Sequence, residues 1–253
     1  MTTQSALAAA AGLVALAFSM ATYERWLAGR KRHELAWSIS LLLFAAGAGC
    51  LLVGAADGWG EWAFRLFYLF GAVLDVPFLA LGTVYLLAGR RQGDVWGAVV
   101  CLASAFAIGV MVSTPLRGPV PVDRLPQGQE VFGALPRALA GVASGAGASV
   151  VVGGALWSAW RFRRGRMLLA NGLIAAGTLV LSAGGLLNSV LDAMEAFSVT
   201  LVAGVTVIFT GFLVATASRP PGAAARATGS ARSDAAPVAA PSPRVPEAAT
   251  RRR

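Results

Sequence analysis

Apolar residues gather into seven long runs along the chain, and short polar stretches separate the runs. Each run is close to the roughly 20 residues that a helix needs to cross the hydrocarbon core of a bilayer. The pattern therefore predicts an all-α integral membrane protein, a bundle of seven transmembrane helices. The predicted spans cover residues 4–22, 35–56, 62–88, 95–113, 137–160, 167–190 and 196–217.

The positions of the basic residues predict the orientation of these spans. Seventeen of the 21 lysine and arginine residues lie in the connections 23–34, 89–94 and 161–166 or after the last span, and four lie on the other side. Cytoplasmic loops carry such an excess, so we expect an outer N-terminus and a cytosolic C-terminus in a bacterial plasma membrane. Residues 1–7 lack the positive charge with which a signal peptide begins, so we expect the first run to be retained as a helix.

Two segments lie outside the predicted bundle. The outer connection 114–136 contains five prolines and is longer than most loops, so it is a lid, a partly buried plug or a mobile segment. The cytosolic tail 218–253 is basic and rich in Pro and Ala, with few large apolar residues, so we expect it to be disordered. Its arginines are either solvated or rest on anionic lipid.

Composition agrees with a lipid environment. The chain is 57% hydrophobic and 13% charged, with a mean hydropathy of +0.67, whereas a soluble domain carries about 25% charged residues. The net charge of +9 comes from residues that occupy topology-setting positions. We therefore expect lipid, and no nucleic acid, to be the partner of these basic residues.

Several cofactor chemistries lack their ligands in this sequence. Lys31 is the single lysine and lies outside the spans, so no retinal Schiff base is expected within the bundle. His33 is the single histidine, so a haem with two histidine ligands and a zinc-histidine cluster are not expected. Cys50 and Cys101 have neither metal-binding nor redox spacing. We expect no cofactor and no metal, while catalysis by carboxylates stays open.

Asp75 is the best candidate for a functional side chain. It lies at the middle of the span 62–88, where a lone carboxylate must face the bundle interior or a water-filled cavity and is expected to be protonated unless it has a partner. Tyr68, Gly71 and Gly82 follow helical spacings that place them on the same side. Pro77 removes one backbone donor and is expected to kink the helix near the acid. Asp75 is either a proton- or cation-coupling group or ligand anchor, or a neutral packing residue.

The sixth predicted span offers the polar surface that we expect to face Asp75. Polar residues recur on one side of this helix, which is typical either of interhelical hydrogen bonding or of a wall that lines a solute site. The candidate residues are Asn171, Thr178 and Ser182 on this face, and Asn188 toward the outer end of the helix. The fifth span, with Gly141, Ser144, Gly145 and Ser149, predicts close packing of small residues. Glu61 and Arg65 are four residues apart and are expected to pair.

The region 23–88 resembles a group of uncharacterised seven-helix membrane proteins from high-GC bacteria. The stretches YERWLAGRKRHELAW and FRLFYLFGAVLDVPFLALGTVYLL carry the resemblance. They are more distantly similar to the seven-helix sensor regions of some bacterial histidine kinases. The resemblance implies a seven-helix fold and no established activity, and no site residue is transferred from it.

Two functional hypotheses follow. In the first, the protein is a sensor-like or accessory component that acts through another membrane protein. In the second, it is a small proton- or cation-coupled transporter or channel that uses Asp75. The sequence shows no clear pair of repeats with broken helices, which many transporters have, and this favours the first hypothesis. An enzyme is the less favoured interpretation.

Overall fold

The computed structural model describes residues 3–161, 166–191 and 194–216. Every regular element in these residues is a helix, so the all-α class is confirmed. The predictions for the tail 218–253 fall outside the described residues. The elements are α1 (Thr3–Gly29), α2 (Arg32–Asp57), α3 (Glu61–Phe67), a π-helix (Tyr68–Leu74), α4 (Asp75–Ser113), α5 (Gly128–Val131), α6 (Ala134–Arg161), α7 (Arg166–Leu191) and α8 (Met194–Thr216).

Helix α4 reverses its direction at Gly89, which has φ 82° and ψ −179°. The hydroxyl of Tyr85 donates to Asp94 Oδ1 at 3.0 Å across this bend, although nine residues would place them about 13 Å apart on a straight helix. The reversal divides α4 into a first arm, residues 75–88, and a second arm, residues 90–113. The predicted loop 89–94 is therefore wrong, because a single glycine makes the turn and the chain is helical again from residue 90.

Among the described residues, four helical stretches are long and apolar enough to cross a membrane. They are Ser5–Gly29, Arg32–Asp57, Glu61–Ser113 and Ala134–Ser158. Glu61–Ser113 has 53 residues and contains the reversal at Gly89. Shorter apolar stretches lie in α7 and α8, at Leu168–Leu181 and Val199–Gly211.

The helices close into a ring in which each one contacts the next. The order around the ring is α1, α2, the first arm of α4 with the π-helix, α6, α7 and α8, and α8 contacts α1 again. Neighbours α1 and α2 are held by Ser19 and Ser38, whose hydroxyls lie 3.2 Å apart and bond each other's backbone carbonyls. The rings of Phe18 and Phe209 meet edge to face at 4.2 Å between α1 and α8.

Large apolar side chains lie exposed along the outside of these helices. Leu13 is 68% exposed on α1, Leu102 is 74% exposed on the second arm, and Val142 is 69% exposed on α6. Soluble monomers rarely expose continuous apolar surface of this kind. The outer surface of the ring therefore matches a hydrocarbon environment.

One end of the bundle, which we call the loop end, is covered by residues 114–133. Leu125, Val131 and Phe132 are 2%, 0% and 0% exposed, and Phe132 stacks on Phe64 with ring centroids 5.2 Å apart. The amide of Trp59 donates to the carbonyl of Val122 at 3.1 Å. Of the three alternatives for this connection, the partly buried plug agrees with the structure.

The opposite end, which we call the basic end, holds the α1–α2 turn and the Gly89 reversal. Arg32 pairs with Asp94, which also accepts the Tyr85 hydroxyl and lies 3.7 Å from Arg90. Arg25 pairs with the buried carboxylate of Glu34 at 3.2 Å. Of these contacts, the pair of Arg32 and Asp94 ties the two turns together.

Candidate functional site

Asp75 is the first residue of the first arm of α4. It is 8% exposed and lies on the side of that arm that contacts α2. The hydroxyl of Ser40, on α2, donates to Asp75 Oδ1 at 2.6 Å, and Ser40 is 1% exposed. Within the described residues no ion pair includes Asp75. A buried carboxyl group held by one hydroxyl is a polar contact between two helices, and it is also a group that can bind or release a proton.

Backbone geometry changes immediately before Asp75. The π-helix ends there, and the Asp75 amide donates to the carbonyl of Phe70, five residues earlier. Pro77 has no N–H, so it donates neither to Val73, four residues earlier, nor to Ala72, five residues earlier. Segments of π-helix are rare and occur frequently at functional sites. The irregularity that the structure shows next to Asp75 is this π-helix, and the kink expected near Pro77 stays a prediction.

Helix α6 supplies the donor that Pro77 lacks. The Ser144 hydroxyl donates to the carbonyl of Ala72 at 2.6 Å. Three residues further along α6, a Cβ added at Gly147 would lie 2.8 Å from Val76 Cγ1, so the two backbones are in close contact. The widened turn is therefore held from the α6 side as well as by Ser40 from the α2 side.

Glycines fix the register of α2 against the same helix. A side chain at Gly82 would overlap the indole of Trp37, and a Cβ at Gly47 would lie 3.4 Å from the amide nitrogen of Gly71. Position 82 lies against position 37, and position 71 lies against position 47, so residue numbers rise along one helix as they fall along the other. Helix α2 is therefore antiparallel to the π-helix and the first arm of α4. Asp75 accepts from Ser40 of α2 and Gly82 lies against Trp37 of α2, as the predicted stripe requires, whereas a Cβ added at Gly71 would point into open space.

Tyr68 does not belong to that stripe, and its placement there was wrong. Its ring packs 5.0 Å from Phe132 and 5.9 Å from Phe64, and a Cβ at Gly128 would lie 2.7 Å from it, all at the loop end. The α-helical spacing fails because the π-helix begins at Tyr68 and turns less per residue than an α-helix.

Of the predicted polar residues on α7, the side chain of Thr178 is the one that the structure describes. The Thr178 hydroxyl is buried and donates to the carbonyl of Ile174 in its own helix at 2.8 Å. Within the described residues, the partner shown for Asp75 is Ser40 on α2, and the prediction that α7 supplies a partner stays a prediction. The side chains of Asn171, Ser182 and Asn188 lie outside the described residues.

Two further sequence predictions concern α6 and the loop end. Gly141 and Gly145 are exposed, with nothing within 4 Å of an added Cβ, so the predicted close packing there is wrong. The close positions are instead Gly147 and Gly154. The predicted pair of Glu61 and Arg65 is confirmed at 2.9 Å.

Arg65 also closes the end of the second arm. It is 6% exposed and donates to the carbonyls of Met111 and Thr114, the latter at 2.8 Å. These carbonyls lie at a helix C-terminus, where a cation is favourable. Arg65, Glu61 and Trp59 line a cleft of about 500 Å³ together with residues 115, 116 and 118–120. Because its donors are already bonded to the protein, Arg65 is a structural cap in this state.

Ser40 and the π-helix were missed in the sequence, whereas Ser144 was expected to pack closely but its bond to Ala72 was not foreseen. Ser40 carried a weak signal, since it is three residues after Trp37 and seven before Gly47 on one apolar face of α2. The structure shows no group of three or more His, Cys, Asp or Glu side chains suited to a metal within its described residues. Comparisons with protein-family models, curated proteins and solved structures gave no match.

Proposed function

We propose that this chain is a seven-span protein of the bacterial plasma membrane, with its N-terminus outside and its C-terminus in the cytosol. The reversal at Gly89 divides the 53-residue helical stretch into two spans. Helices α7 and α8 have 26 and 23 residues, about 39 and 34 Å at the helical rise, enough to cross a core of about 30 Å. Basic turns at one end support the orientation.

We propose further that the protein is a sensor-like or accessory component that acts through another membrane protein. The observation that carries this proposal is the packed loop end, where Val131 and Phe132 are fully buried over Phe64. This aromatic layer lies between the loop-end surface and Asp75, so it opposes a solute route along the first arm.

The arrangement of buried hydroxyls supports the same proposal. Ser19 and Ser38 bond each other, and Thr22 and Thr178 bond carbonyls of their own helices. Within the described residues, these hydroxyls bond groups of their own helix or of the adjacent helix. The Asp75–Ser40 contact, next to a π-helix, then serves as a polar latch between α2 and the first arm of α4.

The surface for a partner is the exposed face of the second arm. This arm folds back on the first arm, and the ring closes through the other helices. Its exposed apolar residues are Val95, Trp96, Val99, Leu102, Phe106, Ile108 and Val112. Because the second arm lies outside the ring, a partner protein can bind its apolar face without separating the helices of the ring.

Site-specific photo-crosslinking in cells tests the proposed function. A photoreactive residue at Leu102 is expected to capture one membrane protein in stoichiometric yield, whereas the same residue at Leu13, similarly exposed on α1, captures none. Equal capture at both positions, or none at Leu102, contradicts the proposal.

The transport alternative predicts a different result in proteoliposomes. There the wild-type protein would conduct protons or cations, and Asp75→Asn would abolish that flux while the folded protein stays abundant. We expect wild type and Asp75→Asn to show the same background leak. A flux that depends on Asp75 would replace the accessory proposal with the transporter.

A further inference from the structure

An apolar groove runs between the first arm of α4 and helix α6, near the basic end. It encloses about 360 Å³. Its floor is formed by Gly154, where an added Cβ would lie 2.7 Å from Thr83 Cγ2 and 2.9 Å from Leu87 Cδ1. Trp157, 45% exposed, and Val150, 40% exposed, lie on its α6 side.

Positive charge lies at one end of this groove. Leu87 and Ala88 line it, and Arg90 and Arg91 follow directly after the reversal at Gly89. The Arg90 side chain is 77% exposed and is 3.7 Å from Asp94, which Arg32 and Tyr85 already engage. Arg91 is also exposed. Ala88 lines the apolar slot, and the two exposed arginines follow it by two and three residues, so apolar surface and positive charge adjoin here as an anionic lipid requires.

We propose that this groove binds one anionic phospholipid from the leaflet that the basic end faces. One acyl chain lies along Gly153, Gly154 and Trp157, and the phosphate group pairs with Arg90 and Arg91. The proposal rests on the membrane insertion proposed above, but it does not depend on the partner of the second arm. Trp157 would lie beside the acyl chain, and the guanidinium groups lie at the depth of the headgroups, where they attract anionic lipids.

The glycines of α6 provide a matched pair of variants. Gly153 lines the groove and has nothing within 4 Å of an added Cβ, so Gly153→Leu fills the groove without disturbing the helix contact at Gly154. Gly145 is equally open but does not line the groove, so Gly145→Leu adds the same side chain elsewhere on the helix. For the charged end, Arg90→Gln and Arg91→Gln are compared with Lys31→Gln, an exposed cation on the α1–α2 turn.

The experiment is native mass spectrometry of the full-length purified protein after incubation with dioleoyl phosphatidylglycerol or dioleoyl phosphatidylcholine. We expect wild type, Gly145→Leu and Lys31→Gln to retain one phosphatidylglycerol in preference to phosphatidylcholine, and Gly153→Leu to lose it. Each arginine substitution is expected to weaken retention roughly fivefold. Quenching of tryptophan fluorescence by brominated phosphatidylglycerol, compared with Trp157→Phe, locates the chain in the groove.

Four results would overturn the proposal. Unchanged lipid retention in Gly153→Leu excludes the groove, and equal retention of both lipids excludes recognition of the headgroup. An equal loss with Lys31→Gln means general attraction to the basic end instead of a site. If Gly153→Leu converts a dimer into a monomer while lipid retention stays unchanged, a second copy of the chain occupies the groove. Loss of the Leu102 crosslink alone would affect only the proposed function.

Discussion

The contact between Ser40 and Asp75 predicts a measurable coupling free energy. Ser40 donates to Asp75 at 2.6 Å, and both residues are less than a tenth exposed. Interhelical hydrogen bonds of this type contribute about 0.6 kcal/mol on average and up to about 1.7 kcal/mol in membrane proteins. Because this bond is short and fully enclosed, we expect a coupling of about 1–2 kcal/mol from the cycle of Ser40→Ala and Asp75→Ala.

The assay is reversible unfolding of the purified protein in mixed detergent and SDS micelles, with the free energy of unfolding measured for the wild type, for the single and double variants of each cycle, and for Asp75→Asn. Ser38→Ala is the matched control, since Ser38 is on the same helix but bonds Ser19 on α1. Its cycle with Asp75→Ala should give less than about 0.3 kcal/mol. Asp75→Asn keeps an acceptor oxygen and should retain most of the coupling to Ser40.

Two results would refute this reasoning. A Ser40 cycle as small as the Ser38 cycle would mean that the hydroxyl and the carboxyl group are not bonded in the folded bundle. A loss of stability in Asp75→Asn as large as that in Asp75→Ala would mean that the negative charge, and not the acceptor oxygen, holds the contact. In that case the latch between α2 and the first arm would need a different explanation.

Two further predictions concern backbone positions and use the same unfolding assay. Gly89→Ala should destabilise the protein by about 1–3 kcal/mol, because φ 82° with ψ −179° is essentially a glycine-only conformation. Gly82→Ala should cost a similar 1–3 kcal/mol, because the added methyl overlaps the indole of Trp37. Gly49→Ala, in open space on α2, is the control and should be neutral or slightly stabilising. An unchanged free energy of unfolding in Gly89→Ala would contradict the observed reversal. An unchanged free energy of unfolding in Gly82→Ala would contradict the close contact between the two helices.

Long apolar runs predicted most of the helices because their signal is local. The predicted span 35–56 lies within α2, Arg32–Asp57, and the end of the fourth span at Ser113 agrees with α4. The turn at Gly89 was harder to predict, because the residues after it are as charged and polar as those of a typical loop. One glycine was enough to reverse the chain, and Arg90 and Arg91 then continued a helix.

The site was predicted in part. Asp75 was recognisable as a carboxylate in the middle of an apolar span, and its burial is confirmed. Its partner was not recognisable, since pairing depends on which helices become neighbours in the ring. Polar residues are most frequent on α7, whereas the bond to Asp75 is made by Ser40, a hydroxyl on an otherwise apolar helix face. The π-helix likewise depends on tertiary support, including the Ser144 contact to Ala72.

Closure of the ring by α8 has a consequence for how the protein is made. Ala11 and Ala15 of α1 are 0% exposed, and they pack with Val205 of α8. During synthesis this part of α1 therefore waits for a helix that leaves the ribosome much later, and contacts between distant parts of a chain form slowly. Until then, this small-residue seam of α1 is uncovered on the side that α8 later contacts. The seam is thus completed when α8 docks against α1, two helices that lie far apart in the chain.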